Sequence, residues 1–221
     1  MKQLFATFLL VLLIVQFCDG QDYFFQPGKS LNYSFEYINA NKDTVALGTI
    51  LITPTDDTWQ YDSRQKEVSY KYSFEKRDDD YFQTGAHGLP ISTELEETTG
   101  YIEKDDSFWT HPFRENIFYI TEIAPFPYFS KGPYKLKSKE VLYIGEGWGE
   151  FIGKSKRNYN ISSMRNGSTD QPDKQLKKVK RTATHKLGRS FLEMIVSDEE
   201  SILEMKYKFF NKDRLMIKKI K

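Results

Sequence analysis

Three histidines are the residues of this chain best suited to acid–base chemistry near neutral pH or to metal binding. His87, His111 and His185 stand far apart, and no two of them have the spacing of metal ligands. His111 lies close to Arg114 in an aromatic segment, where it could act as a general base or hold a ligand at the mouth of a cavity. Alternatively, its ring only fixes the surrounding loop. The sequence predicts no metal site and leaves both interpretations of His111 open.

Other arrangements that carry chemistry are incomplete. The chain has no Gly-x-Ser-x-Gly motif, which speaks against an α/β-hydrolase. Lys154 and Ser155 follow Gly153 as in a phosphate-binding loop, but the first glycine of that motif would fall on Trp148. The short aspartate clusters lack the spacing of a calcium loop. We therefore predict no cofactor, and an enzyme is the least supported function class.

An aromatic and proline-rich segment, residues 108–134, carries the candidate ligand-binding side chains. Prolines at this density exclude a central strand or a long helix, and the spacing of Ile117, Ile120, Thr121 and Ala124 permits one short helix. With a tryptophan from a later glycine-rich stretch, the candidate binding residues are Trp109, His111, Arg114, Phe126, Tyr128 and Trp148.

Apolar side chains elsewhere alternate with polar ones, as in half-buried strands. The pattern is clear over residues 31–37, 68–74 and 203–209, and residues 59–62 are expected as a short strand. Residues 54–57 have turn chemistry, and residues 158–174 indicate an exposed loop. We expect residues 21–221 to form a single all-β domain. It should be a mainly antiparallel meander that curves into a sheet, barrel or half-barrel with at most one short helix.

The run Trp109-Thr110-His111-Pro112-Phe113-Arg114, followed by Ala124-Pro125-Phe126-Pro127-Tyr128, resembles an uncharacterised family of secreted bacterial all-β proteins. Its Trp-x-His-Pro-x-Arg and Pro-Phe-Pro-Tyr segments are followed by a glycine-rich stretch similar to residues 145–149. The likeness covers roughly residues 95–221. It departs from the pattern at Glu199 and Glu200, where a glycine is common. The resemblance implies an all-β fold and export, and no activity.

The start of the chain is typical of a secretory signal peptide, residues 1–20. Lys2 precedes an apolar run, residues 4–15, that is shorter than the roughly 20 residues needed to span a bilayer. Bulky Phe17 before Cys18 disfavours lipidation of that cysteine and favours cleavage after Gly20. We predict export to the periplasm or the extracellular space, and a mature chain without cysteine.

Charge divides the chain into two unlike halves. Residues 21–130 hold 9 basic and 19 acidic residues, and residues 131–221 hold 22 and 11. The halves could pair within one fold, or a basic face could meet an anionic partner such as a membrane surface. The densest basic run includes Lys174, Lys177, Lys178, Lys180 and Arg181. Nucleic acid is not expected as a partner of an exported protein.

Two functions of different classes follow from these patterns. The first is an exported, non-catalytic, barrel-like protein that binds an apolar or amphipathic small molecule through its aromatic residues, which make up 15% of the chain. The alternative is that these rings only pack in the core and bind nothing. The second is a structural or protein-interaction component of the cell envelope that docks a partner through opposed charged faces.

Overall fold

The computed structural model describes residues 24–84, 93–104, 107–130, 156–164, 176–185, 187–197 and 201–220. The predictions for the signal peptide, Cys18, Trp148 and Lys174 lie outside the described residues. The described strands are β1 (Leu31–Ile38), β2 (Thr44–Thr58), β3 (Lys66–Arg77), β4 (Glu96–Lys104), β5 (Ser107–Thr110), β6 (Tyr128–Ser130), β7 (Lys156–Met164), β8 (Leu176–His185), β9 (Gly188–Ser197), β10 (Ser201–Lys208) and β11 (Arg214–Lys219). Helix α1 (Asp79–Thr84) and a 3₁₀ segment (Asn116–Ile123) complete the described elements.

All described strands belong to one sheet with the order β6-β5-β4-β3-β2-β1-β11-β10-β9-β8-β7. Every described strand pairs antiparallel with a strand next to it in the chain. In addition, the first strand, β1, pairs with the last, β11. The first and last strands therefore join two meanders, β1–β6 and β7–β11. The sheet is nearly closed and barrel-shaped, which confirms the predicted fold class.

Two hairpin turns of the same form flank the pairing of β1 with β11. Asn39 donates its backbone N–H to the carbonyl of Asp43 at 2.9 Å, and Phe209 donates to Asp213 at the same distance. The residue before each aspartate has a left-handed backbone, with φ of 77° at Lys42 and at Lys212. A lysine is strained in that conformation, which favours glycine.

Alternation directs the aromatic side chains of β1 to the interior, where Tyr33, Phe35 and Tyr37 are buried. The 3₁₀ segment packs against this concave face, with the ring of Phe118 centred 5.0 Å from Phe35 and 4.7 Å from Tyr72. The aromatic segment thus fills part of the interior at the place where one short helix was predicted. The sequence did not indicate α1, which follows β3.

Three local predictions were wrong. Residues 54–57 do not form a turn, because Pro54 lies inside β2, opposite Val68. Its carbonyl accepts from Gly28, on the side where β1 has not yet begun, so the missing proline N–H breaks no ladder bond. Residues 59–62, expected as a strand, form part of the β2–β3 turn. The polar stretch expected as a loop begins with a strand, β7.

Candidate functional site

Three of the predicted binding residues lie together in a rim cluster, defined as Trp59, Trp109, His111 and Phe126. The His111 ring is centred 4.7 Å from Trp109, 5.0 Å from Trp59 and 5.9 Å from Phe126. Trp109 and His111 are partly exposed because they alternate along the chain with inward-facing residues of β5. Trp59 was not predicted to be part of a site, since it comes from the distant β2–β3 turn.

A close backbone approach allows Trp59 to reach the rim cluster. A Cβ atom added to Gly100 would lie 2.0 Å from Oε1 of Gln65 and 2.8 Å from a ring carbon of Trp59. The carbonyl of Gly100 also accepts the backbone N–H of His111 at 3.2 Å. Gly100 therefore lets the β2–β3 turn fold over β4 onto His111.

Tyr128 adjoins the rim cluster through strand pairing, because it lies opposite Trp109 in the β5–β6 ladder. Its ring also contacts the guanidinium of Arg181, whose Cζ lies 4.7 Å from the ring centre. This arrangement brings a candidate binding residue into contact with a residue of the predicted basic run. Sequence patterns gave no sign of the contact, since the two residues are 53 positions apart.

Arg114 belongs to a different group, the Glu97 network, formed by Tyr72, Glu97, Thr99, Arg114 and Glu122. The backbone N–H of Arg114 donates to Oε1 of Glu97 at 2.8 Å, and its Nη2 donates to Thr99 Oγ1 at 2.8 Å. Its Nε lies 3.6 Å from a carboxylate oxygen of Glu97 and 3.6 Å from one of Glu122. Tyr72 donates its hydroxyl to Glu97 as well. The network ties β3 and β4 to the loop before the 3₁₀ segment and to that segment itself.

Burial dominates the electrostatics of this network. It raises the pKa of Glu97 to about 7, although the hydroxyl of Tyr72 and the groups of Arg114 oppose the shift. Burial, followed by the nearby charge of Glu97, raises the pKa of Tyr72 well above its usual range. Within the described part of the chain, no hydrogen bond reaches Oε2 of Glu97. The carboxyl group is therefore poised to change charge near neutral pH.

A tyrosine hydroxyl places β5 against β3 between these two groups. The hydroxyl of Tyr70 lies 2.7 Å from Oγ1 of Thr110 and donates to the carbonyl of His111 at 3.3 Å. Its ring packs edge-on against Phe113 at 4.8 Å, and burial raises its pKa. Tyr70 thus fixes the backbone between the rim cluster and the Glu97 network.

The predicted basic run divides between the two faces of β8. Arg181 is buried, and Lys177, on the same face, has its ammonium 5.2 Å from the ring centre of Phe129. Lys178 and Lys180 lie on the other face, where both pair with Glu193 of β9. Part of the basic charge is therefore directed inward or neutralised by a neighbouring strand. Contact of this run with an anionic membrane stays a prediction.

The residues that the structure describes contain neither a metal-binding cluster nor a membrane-spanning helix. Among those residues, no group of three or more histidine, cysteine, aspartate or glutamate side chains could hold a metal ion. No helix there has the length and apolar character needed to cross a membrane.

Comparison with known proteins identifies no family. No family model matches the chain, and no curated protein matches it. A predicted lipoprotein from Parabacteroides distasonis is 9% identical, with a TM-score of 0.41 over 89% of this chain and 96% of that one. A predicted exported protein with a YmcC-like fold from Bacteroides fragilis is 6% identical, with a TM-score of 0.39 over 89% and 97%. Likenesses this weak assign no role to the chain, and the resemblance to a secreted bacterial family stays a prediction.

Proposed function

We propose that this protein is exported and binds a small amphipathic molecule, with the apolar part on the rim cluster and the polar part at the partly exposed Arg114 of the Glu97 network. The observation that carries the proposal is a small set of buried hydrogen-bonding groups, centred on Glu97, inside a wall of aromatic rings. Ligand sites in proteins typically combine an apolar lining with a few placed polar groups. A core that only packs gains nothing from a buried carboxyl group, which costs free energy to desolvate.

The rim cluster supports the apolar half of this proposal. Trp109 and His111 are partly exposed, so a ligand could reach their rings without unfolding the sheet. Phe126, which is 4% exposed, backs the two rings at 6.0 and 5.9 Å. Aromatic rings offer a large apolar contact area with little conformational entropy to lose.

The Glu97 network supports the polar half. Its side chains run from solvent to the interior, with exposed fractions of 26% for Arg114, 20% for Glu122 and 4% for Glu97. Two carboxyl groups flank the single guanidinium, so the network favours a neutral or cationic polar group over an anionic one. Access through Arg114 would bring that group toward the carboxyl of Glu97.

Two measurements test the proposal. Native mass spectrometry of the purified mature protein should show a co-purifying small molecule, and a fluorescent lipid probe should bind. Trp109→Ala should weaken probe binding at least about tenfold, as expected for loss of a large aromatic contact. The control Phe191→Ala removes a ring that is 40% exposed on β9 and should leave binding unchanged. A homogeneous ligand-free mass together with no probe binding would refute the proposal.

The alternative is an envelope component that docks a partner through opposed charged faces. Partial neutralisation within the basic half weakens this alternative, because Lys206 and Lys218 pair with Glu204 just as Lys178 and Lys180 pair with Glu193. The alternative predicts a bound partner that dissociates at high salt. A pull-down that is unchanged between low and high salt would count against it.

A further inference from the structure

The outer edge of β6 has backbone carbonyls in a defined orientation. The carbonyl of Pro127 accepts the N–H of Thr110 at 3.1 Å, so it points toward β5. Successive carbonyls of a strand alternate in direction, and those of Phe126 and Tyr128 therefore point away from β5. In the order of the described strands, β6 is terminal, and these two carbonyls face the side where a further strand would pair.

Arg181 of β8 occupies that side. Its Nη1 donates to the carbonyl of Phe126 and its Nη2 donates to the carbonyl of Tyr128. The two donors of one planar guanidinium thus bind two carbonyls that are two residues apart on one strand edge. Arg181 is 2% exposed, and its charge also faces the ring of Tyr128. We call this arrangement the Arg181 clamp.

We propose that the Arg181 clamp holds the barrel closed, with one side chain in place of a neighbouring strand. The two strands that it connects lie toward opposite ends of the sheet order and belong to different meanders. The pairing of β1 with β11 joins the same two meanders through a full ladder. The clamp is a further connection between the meanders, and it depends on two hydrogen bonds rather than on a ladder.

The clamp also covers part of the aromatic interior. Phe129 of β6 is fully buried, and its ring is centred 5.1 Å from Phe24, which stacks at 5.2 Å on Phe108. If β6 moves away from β8, these rings lose their cover. Opening of the clamp should therefore expose an apolar surface, whether or not the protein binds a ligand.

The backbone amides of Thr110 and His111 distinguish opening at the clamp from opening elsewhere in the sheet. Thr110 donates to Pro127 at the β6 side, whereas His111 donates to Gly100 of β4. Arg181→Met removes both clamp bonds and the charge while keeping most of the side-chain volume. We expect the amide of Thr110 to exchange with solvent at least about tenfold faster in this variant, with the amide of His111 within about twofold of the wild type.

The matched control is Arg189→Met, which makes the same change at an exposed position of β9. It should alter neither amide, and the apolar dye ANS should bind Arg181→Met more strongly than the wild type or the control. Equal exchange of the Thr110 amide in Arg181→Met and the wild type would overturn the proposal. If Arg181→Met fails to fold by circular dichroism, Arg181→Lys replaces it. Lysine lacks the planar two-donor fork, so wild-type exchange in that variant would overturn the proposal equally.

Discussion

Replacement of the buried carboxyl group by Glu97→Gln should remove a pH dependence of stability from this protein. The pKa of Glu97 is raised from the ordinary value of 4.5 to about 7, and one unit corresponds to about 1.4 kcal/mol. The folded state therefore takes up a proton more readily than the unfolded chain. The resulting stability is fully present below pH 4.5 and is lost as the pH rises to about 7. The loss amounts to about 3 kcal/mol.

The assay is urea unfolding followed by tryptophan fluorescence at several pH values from 4.5 to 8. The free energy of unfolding of the wild type, taken relative to Glu97→Gln, should fall by about 3 kcal/mol over that range. Glutamine keeps an oxygen that can accept from Tyr72 and from the backbone of Arg114, so the variant should fold.

The control is Glu96→Gln, a change at the next residue of β4, where the side chain is 58% exposed and pairs with Lys71. A plot of its free energy of unfolding against pH should run parallel to that of the wild type. If the curve of Glu97→Gln also runs parallel to the wild type, Glu97 does not carry a raised pKa and the reasoning fails.

Three further substitutions test other parts of the structure by urea unfolding at constant pH. Gly100→Ala should lower the free energy of unfolding by about 1–3 kcal/mol and change the fluorescence of Trp59, because the new methyl group would overlap Gln65. An unchanged urea midpoint would contradict the close approach of Gln65 to Gly100. Lys42→Gly should raise the free energy of unfolding by about 1 kcal/mol, because glycine adopts the left-handed backbone conformation without strain. A lower free energy of unfolding would show that the lysine is not strained. Tyr70→Phe should cost about 1–2 kcal/mol, since Thr110 loses its buried partner; no cost would mean that this bond adds nothing.

The sequence predicted those parts of the fold that depend on alternation along a strand. β1 follows its pattern of inward aromatic residues, because burial of one face fixes which side each residue takes. Alternation does not predict a strand where pairing with a neighbouring strand, rather than burial of one face, determines the local structure. Pro54 reads as a turn but lies in β2 on a side without a partner strand, and the polar stretch of β7 pairs along its whole length with β8.

The candidate site was predicted only in part, for a similar reason. Trp109, His111 and Phe126 lie in one aromatic segment of the sequence, so their proximity could be inferred. Glu97 and Trp59 come to the site through contacts of β3 with β4 and of a distant turn with Gly100. An acidic residue in a strand normally indicates a solvent-facing position, and only the register of β4 shows that Glu97 faces inward.

The position of β1 between β2 and β11 has a consequence for how the chain folds. Each meander pairs strands that are neighbours in sequence, so its ladders close much shorter loops than the pairing of β1 with β11 and should form earlier. Pairing of Phe35 with Ile217 instead joins residues near opposite ends of the chain, so it carries the largest loop-closure entropy and should form late. Until then β1 and β11 are two unpaired strand edges that could pair with other molecules. The period before this ladder forms is therefore when the protein is most exposed to aggregation.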